Sequence, residues 1–102
     1  MNILLVEPAY YTQFPPLGLM KLASYYRSRG CGVKLVRGET SKISYIPDKI
    51  EITSLFTYAW SPVHKAIEYY HRLFPDAKIT VGGLYATILP DHIKSQYPFV
   101  NI

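Results

Sequence analysis

The chain of 102 residues is poor in the residues that build common cofactor sites. It has one cysteine, Cys31, which excludes an internal disulfide, a four-cysteine zinc site and a cysteine-held iron–sulfur cluster within these residues. No apolar run reaches the ~18 residues that a membrane span needs. The opening MNILLVEP has no basic leading region and no small-residue cleavage site, so it does not read as a signal peptide, and cytoplasm is the expected compartment. No G-x-G-x-x-G follows the first apolar run and no Walker-type glycine loop exists. A standard dinucleotide or nucleoside-triphosphate site is therefore not expected, because both need glycines to bring backbone amides onto phosphate. Acids are scarce, seven against eleven bases. The bases are spread, with one loose group at Arg27, Arg29, Lys34 and Arg37. That group reads as a solvated face, and no nucleic-acid partner is expected, since such modules concentrate charge in a stripe.

What the chain has is enough apolar material, 49%, for one core, and residues 1–102 are expected to form a single domain. It also has ten tyrosines in an aromatic fraction of 15%. Several lie in stretches without a period, PAYYTQFPP at 8–16 and FTYAWS at 56–61, where aromatics are often exposed for binding.

The order of elements follows from periodicity. Asn2–Glu7 carries ILLV and suits a strand buried on both faces, ended by Pro8. A helix starts after Pro15, with Leu19, Leu22, Ala23 and Tyr26 at helical spacing, Met20 widening the stripe and Gly30 as its C-cap. Val33–Arg37 is the second strand. Residues 38–49 hold turn residues and no stripe. Ile50–Leu55 alternates as a third strand. Ser61 and Pro62 read as N-cap and first helical residue, before a stripe of Val63, Ala66, Ile67, Tyr70, Leu73 and Phe74. Lys78–Val81 is a fourth strand, closed by Gly82 and Gly83. Residues 84–98 read as a broken helical segment with Pro90 inside, and Phe99–Ile102 as the start of a fifth strand. This alternation implies an α/β fold, a Rossmann-like (flavodoxin-like) parallel sheet of four to five strands with flanking helices, in the order 2-1-3-4-5. Ligands in such sheets bind beyond the carboxyl ends of the strands at the switch point, here between the first and third. Because 38–49 lacks a helix, one sheet face is expected to be partly bare, an invitation to a partner domain or a second copy.

Candidate chemistry is sparse. His64 and His71 lie two turns apart on one helix, about 10 Å by rise, with Glu68 between them; the trio can share a face, but surface histidines are commoner than ligands. His92 stands apart. Cys31 sits at a helix exit, which disfavours a thiolate. Ser54 has no nucleophile elbow around it. Glu7, at the end of the first strand, reads equally as a cleft side chain or as a cap for loop amides. Gly82 and Gly83 read as a tight turn, as backbone closely approached by a ligand, or as both. A response-regulator-like site would need a phosphoacceptor Asp after the third strand, and Leu55–Ser61 contains none.

Three stretches, PPLGLMKLASYYRSRG at 15–30, EITSLFTYAW at 51–60 and FPDAKITVGGLYATILPD at 74–91, together resemble the N-terminal cobalamin-binding-like domain of radical SAM enzymes. Cobalamin domains carry D-x-H-x-x-G after the first strand, S-x-L after the third and G-G after the fourth. Here Thr53 and Leu55 stand at S-x-L, and Gly82 and Gly83 match G-G. The first signature is absent and Glu7, Ala9 and Thr12 take its place, so no histidine is available to ligate cobalt from below. The resemblance implies an accessory domain that holds cobalamin or covers the catalytic barrel following it. The cofactor would be contacted by Glu7, Ala9, Tyr10, Tyr11, Thr12, Ser54, Leu55, Phe56, Thr57, Gly82, Gly83 and Leu84. It also implies that these residues are part of a longer protein. S-adenosylmethionine and the [4Fe–4S] cluster would belong to its downstream barrel, and this chain alone would not be an enzyme. The alternative expectation is a cofactor-free protein-interaction or substrate-positioning module of the same fold.

Overall fold

The computed structural model describes residues 1–8, 17–40, 43, 45–54 and 60–102. The central strand β1 (Asn2–Glu7) is flanked by β2 (Gly32–Arg37) on one side and β3 (Lys49–Ser54) on the other, and β3 pairs with β4 (Lys78–Gly83). All three pairings are parallel and the order is β2-β1-β3-β4. The helices are α1 (Leu17–Ser28), α2 (Trp60–Leu73), α3 (Leu84–Ile88) and α4 (Pro90–Lys94). The α/β class and the first four positions of the expected order are present. At the fifth position there is a one-residue bridge rather than a strand: Asn101 pairs with Thr80, its N–H donating to the Ile79 carbonyl at 2.9 Å.

The two faces of the sheet are covered differently. Side chains of a strand alternate between faces. Ile3 and Leu5 pack on one side with Leu19 and Ala23 of α1. Leu4 and Val6 pack on the other with Ile50, Ile52, Ile79 and Val81, under Val63, Ala66, Ile67 and Tyr70 of α2. All four β1 residues from Ile3 to Val6 are fully buried. On β3 and β4 only the α2-side residues are buried. Their α1-side positions, Lys49, Glu51, Thr53, Lys78, Thr80 and Gly82, stay partly or fully exposed. A bare region exists, but not where the short connection 38–49 suggested. The described part of that connection meets the α2 side, where Ile43 packs against the larger core.

Tyrosine hydroxyls hold that connection in place. The buried Tyr70 donates to the Gly38 carbonyl at 2.7 Å and accepts from the Thr40 N–H at 3.2 Å. Tyr45 donates to the Ile3 carbonyl at 2.6 Å.

Local differences from the sequence expectation have simple causes. The helix α2 begins at Trp60, so Ser61 lies inside its first turn rather than capping it, and Pro62 sits where a missing N–H is harmless. Leu73 and Met20, placed on apolar stripes by spacing, are exposed; each lies at the margin of its stripe. Gly30, at φ +80°, lets the Cys31 N–H return to the Tyr26 carbonyl and close α1. Pro90 starts α4 after a break at Leu89.

Tyr70→Phe keeps the ring and removes both hydrogen bonds to the connection. A loss of about 1–3 kcal/mol is expected, because the Gly38 carbonyl stays buried without its donor. Urea unfolding of the two proteins measures it, and equal midpoints would remove the hydroxyl from this role.

Candidate functional site

At the carboxyl edge, α1 covers β1 and β2 but stops short of β3 and β4. The gap is a pocket of about 210 Å³ lined by Leu19 and Leu22 of α1 and by Glu51, Ile52, Thr53, Thr80, Gly82 and Gly83 of the sheet. Its far wall is set by register, which puts Glu51 beside Thr80 and Thr53 beside Gly82.

The glycines have different reasons to be there. A Cβ on Gly82 would meet nothing within 4 Å, so this residue leaves the pocket open. Gly83, at φ +98°, has no such freedom: a Cβ there would collide with the Ser54 backbone, which lies 2.9 Å away at its nitrogen. Ser54 locks the same turn from below. Its hydroxyl donates to the Gly82 carbonyl at 2.6 Å and accepts from the Ala86 N–H at 3.1 Å, and it is fully buried.

The pocket floor is polar and ordered by a relay. Lys49 donates to the Tyr26 hydroxyl at 3.3 Å, and Tyr26 donates to Glu51 Oε1 at 2.8 Å. Lys49 Nζ also lies 3.6 Å from that oxygen. Burial raises the Tyr26 pKa, and the Glu51 carboxylate it serves adds to the rise. Its hydrogen bond with Tyr26 raises the Lys49 pKa, so the ammonium form is favoured. Glu51 Oε2, by contrast, is buried and has no hydrogen-bond partner among the described residues.

Of the residues singled out from the sequence, Gly82 and Gly83 line this pocket. Glu7 does not: it is buried at the end of β1, where Oε1 pairs with Arg37 Nε at 3.0 Å. It thus clamps the edge strand. Ser54 faces the α3 turn. Of Leu84 only the backbone, at the start of α3, is described. Ala9, Tyr10, Tyr11, Thr12, Leu55, Phe56 and Thr57 lie outside the described residues. Leu19, Leu22, Glu51, Ile52, Thr53 and Thr80 also line the pocket and are not among the contacts that the resemblance implies. Glu51 had a signal, an acid alternating with apolar residues in a central strand; the leucines had none that separates a pocket wall from a core stripe.

The histidines form a different feature. Among the described residues no group of three or more His, Cys, Asp and Glu side chains could hold a metal. Glu68 instead accepts from the Tyr97 hydroxyl at 2.6 Å, and His71 stacks on Phe99 at 3.9 Å between ring centres. The His64 ring packs 5.2 Å from Trp60, 5.3 Å from His92 and 5.0 Å from Tyr97, joining α2 to α4 and the turn after it.

Burial, and then the charge of His92, lower the His64 pKa, against smaller raising effects from Gln96 and Glu68. The unfolded chain therefore binds this proton first as pH falls. The stability contribution is complete above the unfolded value of about 6.5 and is lost as pH drops through the folded pKa. Urea midpoints followed by Trp60 fluorescence should fall between about pH 7 and 5, and His64→Gln should flatten that fall. An unchanged slope would assign the pH dependence to other groups.

Neither a scan against protein-family models nor a search of the curated proteins returns a match for this chain.

Proposed function

We propose that this chain is an accessory domain that holds a corrinoid, of the kind that precedes the catalytic barrel of radical SAM enzymes. The observation that carries the reading is the pocket under α1. It lies towards the carboxyl edge of a parallel sheet, the edge at which ligands of such sheets bind, though over β3 and β4 rather than at the β1–β3 switch point, and it is kept open by Gly82. A pocket of about 210 Å³ would take only one edge of the macrocycle, the rest lying over the exposed carboxyl edge of β3 and β4. Leu19 and Leu22 would cover an apolar part of that edge, and Thr53 and Thr80 would offer hydroxyls. The donor set fits a corrinoid held without a protein ligand to cobalt, since all three histidines lie on α2 and α4, against the opposite face. When bound, the corrinoid supplies a redox-active, alkyl-carrying cobalt; this chain's residues orient it and exclude water from one side. In the same reading the Asn101 bridge begins a fifth strand, giving the order 2-1-3-4-5. S-adenosylmethionine and its iron–sulfur cluster belong to the barrel, so this chain alone is no enzyme.

A second reading, a cofactor-free interaction module, is favoured by the exposure of Trp60, Ile88 and Leu89 at the start of α2 and the α3–α4 break.

Titration of the purified chain with hydroxocobalamin, followed by its visible spectrum and by thermal melting, separates the two. Free ligand near 100 Kd should add about 2.7 kcal/mol and raise the Tm by about ten degrees or more. Gly82→Val fills the pocket without straining the backbone and should abolish the shift. A flat titration of the wild-type chain would leave the interaction module standing.

A further inference from the structure

We infer that the groove between α2 and the turn after α4 binds a free α-amino acid with an apolar side chain, its ammonium on Glu68 and its carboxylate on Arg72. The groove lies on the α2 side of the sheet, opposite the pocket under α1, and the inference does not depend on what that pocket takes.

The groove is an open cavity of about 520 Å³, lined by Glu68, His71 and Arg72 of α2 and by Pro75, Tyr97 and Phe99. Its far wall is anchored. The Tyr97 N–H donates to the Ile93 carbonyl at 2.9 Å and the Val100 N–H to the Tyr97 carbonyl at 3.1 Å, while Asn101 ties the segment to β4. The Phe99 ring is held as well. It stacks on His71, 3.9 Å between centres and 16° from parallel, and meets Tyr97 at 6.1 Å. Phe99 is nonetheless 43% exposed. An aromatic ring that is fixed in place and still open to solvent can cover an apolar group without first being ordered.

The two charges set the polarity of the ligand. Glu68 and Arg72 stand four residues apart, neighbours on one helix face, in the order that favours an ion pair. No ion pair joins them among the described residues. Tyr97 accounts for this: its hydroxyl donates to Glu68 Oε1 at 2.6 Å and draws the carboxylate toward the turn. Both residues are exposed, so the groove presents a carboxylate and a guanidinium side by side, unpaired with each other, next to an apolar ring. A ligand with one charge would gain from one of them and meet the like charge of the other. A zwitterion satisfies both. An α-amino acid carries its ammonium, its carboxylate and its side chain on a single carbon. With the two charges met by α2, the side chain is left for Phe99 and Pro75 to cover.

Three probes built on one skeleton test this. L-Phenylalanine, phenethylamine and 3-phenylpropanoate carry both charges, the ammonium alone and the carboxylate alone. Added to the full 102-residue chain, L-phenylalanine should move the ¹H–¹⁵N signals of Glu68, His71, Arg72 and Phe99, with a Kd in the millimolar range of small ligands in open sites. Each singly charged probe should bind about tenfold more weakly or worse. Glycine, which keeps both charges and lacks the ring, should bind more weakly still. Arg72→Gln should bring L-phenylalanine down to the level of phenethylamine, and Phe99→Ala should weaken all three ring probes. Both positions are exposed, so both variants are expected to fold. Equal binding of the three ring probes, glycine binding as tightly as L-phenylalanine, an unchanged L-phenylalanine affinity in Arg72→Gln, or no movement of these signals by any probe would overturn the inference.

Discussion

Strand β1 is buried on both faces, while β3 and β4 are buried on one. Most of the structure follows from this inequality. Four consecutive fully buried aliphatic residues, Ile3 to Val6, need cover above and below, and each such side chain is worth about 1.5–3 kcal/mol when removed from water. The chain provides cover twice, with α1 on one side and α2 on the other. Strands β3 and β4 carry apolar residues only on the α2 side, so α1 has no apolar surface to extend over on theirs. The pocket is the step between the covered and uncovered parts of one sheet face.

That inequality was written in the sequence as a difference of pattern. ILLV has no alternation, whereas EITS and KITV alternate, and alternation means one polar face. The strands, their parallel arrangement and the glycine turn were legible for this reason. The position of the bare face was not. The absence of a helix at 38–49 suggested it, but a connection without a helix can still cover a sheet if its backbone polar groups find partners. Those partners are the hydroxyls of Tyr70 and Tyr45, and nothing local in the sequence announces a hydrogen bond across some thirty or forty residues.

The tyrosine surplus has the same lesson. Periodicity separates aromatics on helices from those in loops, and the loop aromatics suggested ligand contact. Among the described residues, Tyr26, Tyr45, Tyr70 and Tyr97 each place a ring against the core or the sheet and spend the hydroxyl on a partner distant in sequence. A ring with a polar tip suits a small domain with thin layers, because one side chain fills space and satisfies a backbone or carboxylate group together. Glu7 belongs to this logic as well: its Oε1 pairs with Arg37 and so helps to hold the edge strand β2.

Glu51 is where this economy stops short. An uncovered sheet face must be polar to stay in water, and Lys49, Thr53, Lys78 and Thr80 meet that requirement while remaining partly exposed. A glutamate among them would ordinarily extend into solvent. Here Tyr26 and Lys49 draw one oxygen inward, and the other becomes buried without a donor. A threonine or serine at this position would keep the face polar without leaving an acceptor unmet. The relay that restrains Glu51 therefore does more than keep the sheet in solution: through Tyr26 it ties the uncovered part of this sheet face to α1.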